Sequence, residues 1–241
     1  MKDFSALQRA MRRLGIEIGR SHYTTRSRRA QLLNAHGVDL LVDVGANRGQ
    51  YVRAVRSAGY SGRVISFEPA ADPYDGLVSA CAADETWSCR RFAIGAAPGF
   101  ADLQVSTNDY FNSILPTSQV TISNDARAEA IGTERVEVRT LDELLHAEQG
   151  ERLAIKADVQ GFESEVIAGA NNTLKRSTVV ELELSPAEIY AGQQLMIPML
   201  QTMQDNGFVL ALVENALMEE STGGALQFNG IFVRRGPSRL A

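Results

Sequence analysis

Asp43, Gly45, Asn47 and Gly49 stand in the run Leu40-Leu41-Val42-Asp43-Val44-Gly45-Ala46-Asn47-Arg48-Gly49-Gln50-Tyr51, and Phe67-Glu68-Pro69 follows, its acid 25 residues after Asp43. Together these residues have the chemistry of a nucleoside-binding site. The apolar stretch before the turn suits a parallel strand buried on both faces, and the glycines let the backbone bend into a helix opening near Gln50. A small ligand can then lie against bare backbone. Val64, Ile65 and Phe67 predict a second buried strand, and an acid at the end of such a strand is where doubly wound folds hold the two hydroxyls of a ribose. Glu68 is that acid. A dinucleotide fingerprint is missing, because Gly45-x-x-x-Gly49 lacks the G-x-G-x-x-G spacing that receives a pyrophosphate at a helix N-terminus. A carboxylate at Asp43 repels phosphate and suits a cation. S-adenosylmethionine has a ribose, no phosphate, a sulfonium and a zwitterionic tail, and so matches these charges. A plain strand-to-helix turn would use the same glycines without a ligand, but the spacing to Glu68 favours the cofactor.

A second group of acids lies further along. Leu153 to Asp158 predicts another buried strand, followed by Gly161 and a helix from about Phe162 to Ala168, and Val179 to Leu184 predicts the next strand. Ligands of open α/β sheets sit at the carboxyl ends of strands, so Asp43, Glu68, Asp158 and Glu183 are expected around one crevice. A hydroxyl that attacks a methyl group must lose its proton, and a positioned carboxylate can take it. Asp158 is the first catalytic candidate and Glu183 the second, while Asp158 also suits the cofactor. The competing roles are an N-cap for Asp158 and a partly exposed strand-end charge for Glu183. These two acids also offer hard oxygen ligands, yet no metal-spacing motif appears, so a divalent metal stays open. Asn112 and Ser113 either close over the cofactor or belong to a satisfied turn. Lys156 is expected to pair with a neighbouring carboxylate, His146 to sit at a helix end, and His22 and His36 on the surface.

Buried-strand and helical patterns alternate through the rest of the chain, an α/β signature. Arg91 to Ile94 is expected to form the third strand, Leu103 to Val105 a short accessory strand, and residues 106–134 a long irregular cover over the site. Thr140-Leu141-Asp142-Glu143 reads as a capping box opening a short helix through Leu145. Strands near 208–213 and 228–233 complete the sheet.

The motifs Val42 to Tyr51, Phe67-Glu68-Pro69, Asn112-Ser113, Thr140-Leu141-Asp142, Lys156 to Glu163, Glu181-Leu182-Glu183 and Phe228 to Val233, in this order, resemble the FkbM-type S-adenosylmethionine-dependent methyltransferases. The resemblance covers about Val38 to Arg235. It implies a class I methyltransferase Rossmann-like α/β fold: a seven-stranded, mostly parallel sheet with an antiparallel last strand and helices on both faces. It also implies methylation of hydroxyls on sugars, glycolipids or polyketides. The cofactor-binding residues expected are Asp43, Gly45, Asn47, Gly49, Gln50, Tyr51, Glu68, Asn112, Ser113 and Asp158. Two other readings remain: a nicotinamide-dependent oxidoreductase, disfavoured by the glycine spacing, and a non-catalytic S-adenosylmethionine-binding adapter.

The chain has 241 residues with 44% apolar side chains and a net charge of −5. It is expected to hold one large domain over 37–241, preceded by a basic segment over 1–36. Residues 1–30 carry eight basic and two acidic side chains, a balance of +6 that leaves −11 elsewhere, so nucleic acid is not an expected partner of the main body. Phe4, Leu7, Met11, Leu14 and Ile18 recur at helical spacing and predict an amphipathic helix. Its apolar stripe most often means packing on the domain or on a second subunit, and attachment to a membrane surface or a cover over an acidic or lipid-linked substrate is the sharper reading. With only Cys81 and Cys89, three histidines, no long apolar run and no signal-peptide core, neither a zinc site nor a disulfide framework is expected, and the cytoplasm is the expected compartment.

Overall fold

The computed structural model describes residues 25–148, 152–219 and 222–236. The helix expected around Phe4 to Ile18 lies outside the described residues. Helix α1 (Thr25–Ala35) leads into strand β1 (Leu40–Val44), helix α2 (Gln50–Ser57), strand β2 (Arg63–Phe67), helix α3 (Ala71–Cys81) and strand β3 (Trp87–Arg90). After an excursion, strand β7 (Leu153–Ala157), helix α6 (Glu163–Ala168), helix α7 (Asn171–Arg176), strand β8 (Ser177–Leu184), helix α8 (Met196–Asp205) and strands β9 (Phe208–Met218) and β10 (Ala225–Arg234) complete the main sheet. Its order is β3-β2-β1-β7-β8-β10-β9. β10 runs antiparallel to both of its neighbours, while the other pairings are parallel. This is the class I methyltransferase topology.

Alternate residues of the central strands feed two cores, as a sheet covered on both faces requires. Leu40, Val42, Val44, Ile155, Val180 and Leu182 pack with Val166, Leu174 and Met203 on one face. Leu41, Val64, Ala154 and Val179 pack with Ala30, Leu33, Val52 and Val55 on the other. Each fully buried aliphatic contributes about 1.5 to 3 kcal/mol. α1 thus belongs to the domain core, although its residues fall in the basic segment expected to precede it. Arg29 is not a surface charge either, since it donates to Glu181 at 2.6 Å and reaches Glu214 at 2.9 Å.

Two strand expectations are corrected. The third strand is β3, in register with β2 from Val64↔Trp87 to Phe67↔Arg90, whereas Ala93–Ile94 form strand β4 of a separate small sheet. β3 is an edge strand on which only Trp87 is buried, so its apolar signal is weak, and Phe92-Ala93-Ile94 drew the expectation downstream. The accessory strand is longer than expected, β5 (Gly99–Ser106), and pairs antiparallel with β6 (Ala130–Arg139), giving the order β4-β6-β5. β6 enters the stretch expected to be irregular. Only Val136 and Val138 are buried along it, and a sheet with one solvated face shows little apolar pattern. Between β5 and β6 lie a turn of 3-10 helix (Asp109–Phe111), helix α4 (Gln119–Asn124) and a second 3-10 turn (Ala126–Ala128). Thr140 caps helix α5 (Leu141–Leu144) as expected, its Oγ1 accepting from Glu143 N at 3.1 Å, but the Glu143 carboxylate accepts from Arg139 Nε at 3.0 Å, where a capping box would turn it back to Thr140 N.

Candidate active site

A row of polar side chains crosses the centre of the sheet. Ser66, Asp43, Lys156 and Glu181 are direct neighbours on β2, β1, β7 and β8. Asp43 is fully buried, accepts from Ser66 Oγ at 3.0 Å and pairs with Lys156 Nζ at 3.1 Å. The lysine donates onward to Gly45 O at 2.7 Å. Burial alone would lower the pKa of this ammonium, but Asp43 and then Asp158 outweigh it and push the pKa up to about 12. The expectation that Lys156 pairs with a carboxylate holds. The cation facing Asp43 is a resident one, and Asp43 lies beneath the glycine turn rather than along the cleft above it.

The turn is shaped by the protein's packing on itself. Gly45 has φ +71°, and a Cβ there would lie 1.9 Å from the backbone oxygen of Asp158. Gly49, at φ +81°, would press a Cβ against the Trp87 ring at 2.5 Å. Asn47 takes a left-handed φ of 48°, and its Oδ1 accepts from Arg48 N at 2.7 Å and from Gln50 Nε2 at 3.0 Å. Glu68 is fixed by backbone donors, with Oε2 accepting from Asn47 N at 2.8 Å and Oε1 from Ala70 N at 3.0 Å. Burial raises its pKa to about 7 against the pull of those two N–H groups.

A cleft of about 810 Å³, mouth included, opens above the turn. Gly45, Asn47, Gln50, Tyr51, Glu68, Asn112 and Asp158 line it, and Asp43, Gly49, Ser113 and Glu183 do not. Apolar side chains of Phe92, Ile94, Leu103, Ile114 and Phe162, which were not named as site residues from the sequence, share in its lining. The combination fits S-adenosylmethionine. The apolar lining suits the adenine, and the buried carboxyl of Glu68 beside the turn suits the ribose. The segment after β5 closes one side: Arg48 Nε donates to Asp109 Oδ2 at 3.1 Å and Gln50 Nε2 to Tyr110 OH at 3.1 Å. Asn112 Oδ1 accepts from Ser106 N at 2.9 Å, and Ser113 Oγ donates to Gln160 O at 2.6 Å. Ser113 braces this segment without reaching the cleft.

Asp158 stands at the end of β7 with 39% of its side chain exposed. It caps no helix: α6 begins without a side-chain cap, and Val159 N donates instead to Glu163 Oε1 at 2.9 Å. Asp158 Oδ1 accepts from Gln160 Nε2 at 2.7 Å, and Oδ2 lies 3.8 Å from Lys156 Nζ. Gln160, at φ 56°, also donates to Glu183 Oε2 at 3.0 Å and accepts from Tyr190 OH at 2.5 Å. A non-glycine residue in that region is held there by its surroundings. Glu183 accepts a further bond from Gln227 Nε2 at 3.0 Å. Burial, then Asp158 and Glu163, lift the pKa of Glu183 well above the carboxylate range, and burial raises that of Glu163. Gln160, Tyr190 and Glu163 were not named as site residues from the sequence. Gln160 stood within the Lys156 to Glu163 motif without being singled out, and Tyr190 arrives from 30 residues away. Among the described residues no group of three or more His, Cys, Asp or Glu side chains is arranged to hold a metal ion. Nor is any helix among them long and apolar enough to cross a membrane.

Residues 43–210 match the profile of the Methyltransferase FkbM domain. No curated protein matches the chain. Solved structures that resemble it include precorrin-6y C5,15-methyltransferase from Geobacter metallireducens GS-15, at 10% identity and TM-score 0.48, with 91% of this chain and 94% of that chain covered. Another is magnesium protoporphyrin IX methyltransferase from Synechocystis PCC 6803 with bound SAM, at 14% identity and TM-score 0.44, with 88% and 78% covered.

Proposed function

The chain belongs to the FkbM methyltransferase family, and from that premise we propose that it methylates a hydroxyl oxygen of a sugar, glycolipid or related natural product. Family membership makes it an S-adenosylmethionine-dependent methyltransferase and removes the nicotinamide reading. The oxygen acceptor is supported by one observation above all: Asp158 is a half-exposed carboxylate at the cleft that caps no helix.

When bound, the cofactor supplies an electrophilic methyl on a sulfonium. The chain's part is to hold and align. Glu68 accepts from the ribose hydroxyls, its oxygens already oriented by Asn47 N and Ala70 N. The turn around Gly45 receives the amino-acid tail, while Lys156 anchors the carbonyl of Gly45 from below. Alignment of two reactants is worth up to about 7 to 11 kcal/mol. Asp158 would hold the proton that the acceptor hydroxyl gives up, a contribution of about 10² to 10⁴-fold for a general base. Gln160 fixes the rotamer of Asp158 through one amide hydrogen. Glu183, the second catalytic candidate, is assigned a supporting part behind Gln160 because it does not border the cleft.

Mass spectrometry of the purified protein for bound nucleoside, then a methyl-transfer screen over sugar and glycolipid acceptors, tests this reading. A methyl ether product is expected. A methylated amine or thiol as sole product overturns the oxygen acceptor, and cofactor binding without turnover on any acceptor class favours an adapter.

A further inference from the structure

A second cavity of about 680 Å³ adjoins the cleft, bounded by α1, α2, the end of β7 and residues within β8 and β10. Gln50, Tyr51, Lys156 and Asp158 border both spaces, so a molecule in the second cavity meets one in the first across Asp158. Its remaining polar lining comes from Arg29, Glu181 and Asn229. The charges there are already spent on one another. Arg29 grips Glu181 through three contacts of 2.6 to 3.1 Å, and Tyr51 OH donates to the same carboxylate at 2.7 Å. Lys156 is held by Asp43 at 3.1 Å. An anionic ligand would therefore have to break an internal ion pair to gain a cation, at the cost of stranding a buried carboxylate.

Asn229 is different. It lies on β10 opposite Glu183, within the Phe228-Asn229-Gly230 motif for which the cofactor site has no use, and its carboxamide bonds to none of the described residues. An amide with no bond to the described residues, in a cavity shared with the half-exposed Asp158 and walled by paired charges, matches the donors and acceptors of a neutral polyol.

We propose that this second cavity is the acceptor site and takes an uncharged saccharide, with Asn229 hydrogen-bonding a hydroxyl neighbouring the one that is methylated. The inference rests on the O-methyltransferase reading above. Asp158 then receives the proton at the boundary between the two ligands. Ala54, on the α2 wall of this cavity and absent from the cofactor cleft, offers a way to fill it.

The test uses the full chain and the methyl glycosides of glucose, galactose and mannose with their 6-phosphates, first by saturation-transfer NMR in the presence of S-adenosylhomocysteine, then by turnover. Binding of a neutral glycoside is expected. Ala54→Leu should raise its KM by about 10 to 200-fold, as a misfit of a few methyl groups does. Asn229→Ala should raise it about three- to tenfold, the value of one neutral hydrogen bond. Both variants should keep wild-type cofactor affinity by calorimetry. Tighter binding of the phosphates overturns the uncharged ligand. Turnover on a neutral glycoside with KM unchanged in both variants overturns the cavity assignment and leaves the O-methyltransferase reading intact. If no glycoside binds or turns over while an amine or thiol is methylated, that reading fails and the acceptor site falls with it.

Discussion

Two of the acids that line the cleft, Glu68 and Asp158, are held in opposite ways. Glu68, on the β2 side, is buried and pinned by two backbone N–H groups. Asp158, on the β7 side, is 39% exposed, and its side-chain contacts are an amide from Gln160 and the ammonium of Lys156. Backbone donors come with the turn itself, so Glu68 is in place once β1, the turn and β2 have formed. Side-chain donors come from residues that must themselves be positioned, and Gln160 depends on Tyr190 and Ser113 to hold it. The donors around Glu68 are thus local, whereas those around Asp158 are assembled from distant parts of the chain.

Asp158→Asn should bear on this contrast most heavily. An amide keeps the size but loses the basicity, so turnover at saturating substrate should fall by about 10² to 10⁴-fold while the melting temperature stays near wild type. Near-normal turnover would remove Asp158 from the chemistry. Lys156→Met comes next, because it leaves Asp43 buried without a cation, and urea unfolding should report a loss of about 3 to 5 kcal/mol. Adding Asp43→Asn to that variant should recover part of the loss; no recovery would mean that the pair does not act as a unit.

Glu68→Ala should weaken S-adenosylmethionine binding by about 1.5 to 3 kcal/mol for each charged hydrogen bond lost, read by calorimetry on the folded variant. Unchanged affinity would take the ribose away from Glu68. The smallest effect is a pH dependence. Ribose hydroxyls donate to the ionised carboxyl, whose pKa in the free protein is raised to about 7, so affinity should fall as pH drops from 8 to 6, by at most about tenfold per unit. Because that pKa lies above the ordinary 4.5, the folded state holds the proton more tightly than the unfolded one. The stabilisation this gives is complete below pH 4.5 and is lost as pH rises through about 7. Glu68→Gln should flatten both profiles, and a binding slope that survives in it would assign the titration to another group.

The local parts of the molecule were legible before any coordinates. The apolar run of β1, the glycines after it, Glu68 at the end of β2 and the Thr140 cap each depend on a few consecutive residues whose backbone preferences and burial leave a direct mark on residue type. The edge strand β3 and the half-solvated β6 left a fainter mark and were misjudged or missed, since strands that bury few side chains need few apolar ones. Tertiary structure alone decided which partner each charged residue meets. Lys156 faces Asp43 and Glu181 only because three strands align in one register, and Arg29 reaches Glu181 across 152 residues of sequence. The same holds for Gln160 between Asp158 and Glu183, and for the two cavities that meet at Asp158. Periodicity records which side of a strand is buried, but not which strand lies beside it, and a charge pair or a shared wall exists only once that neighbour is fixed.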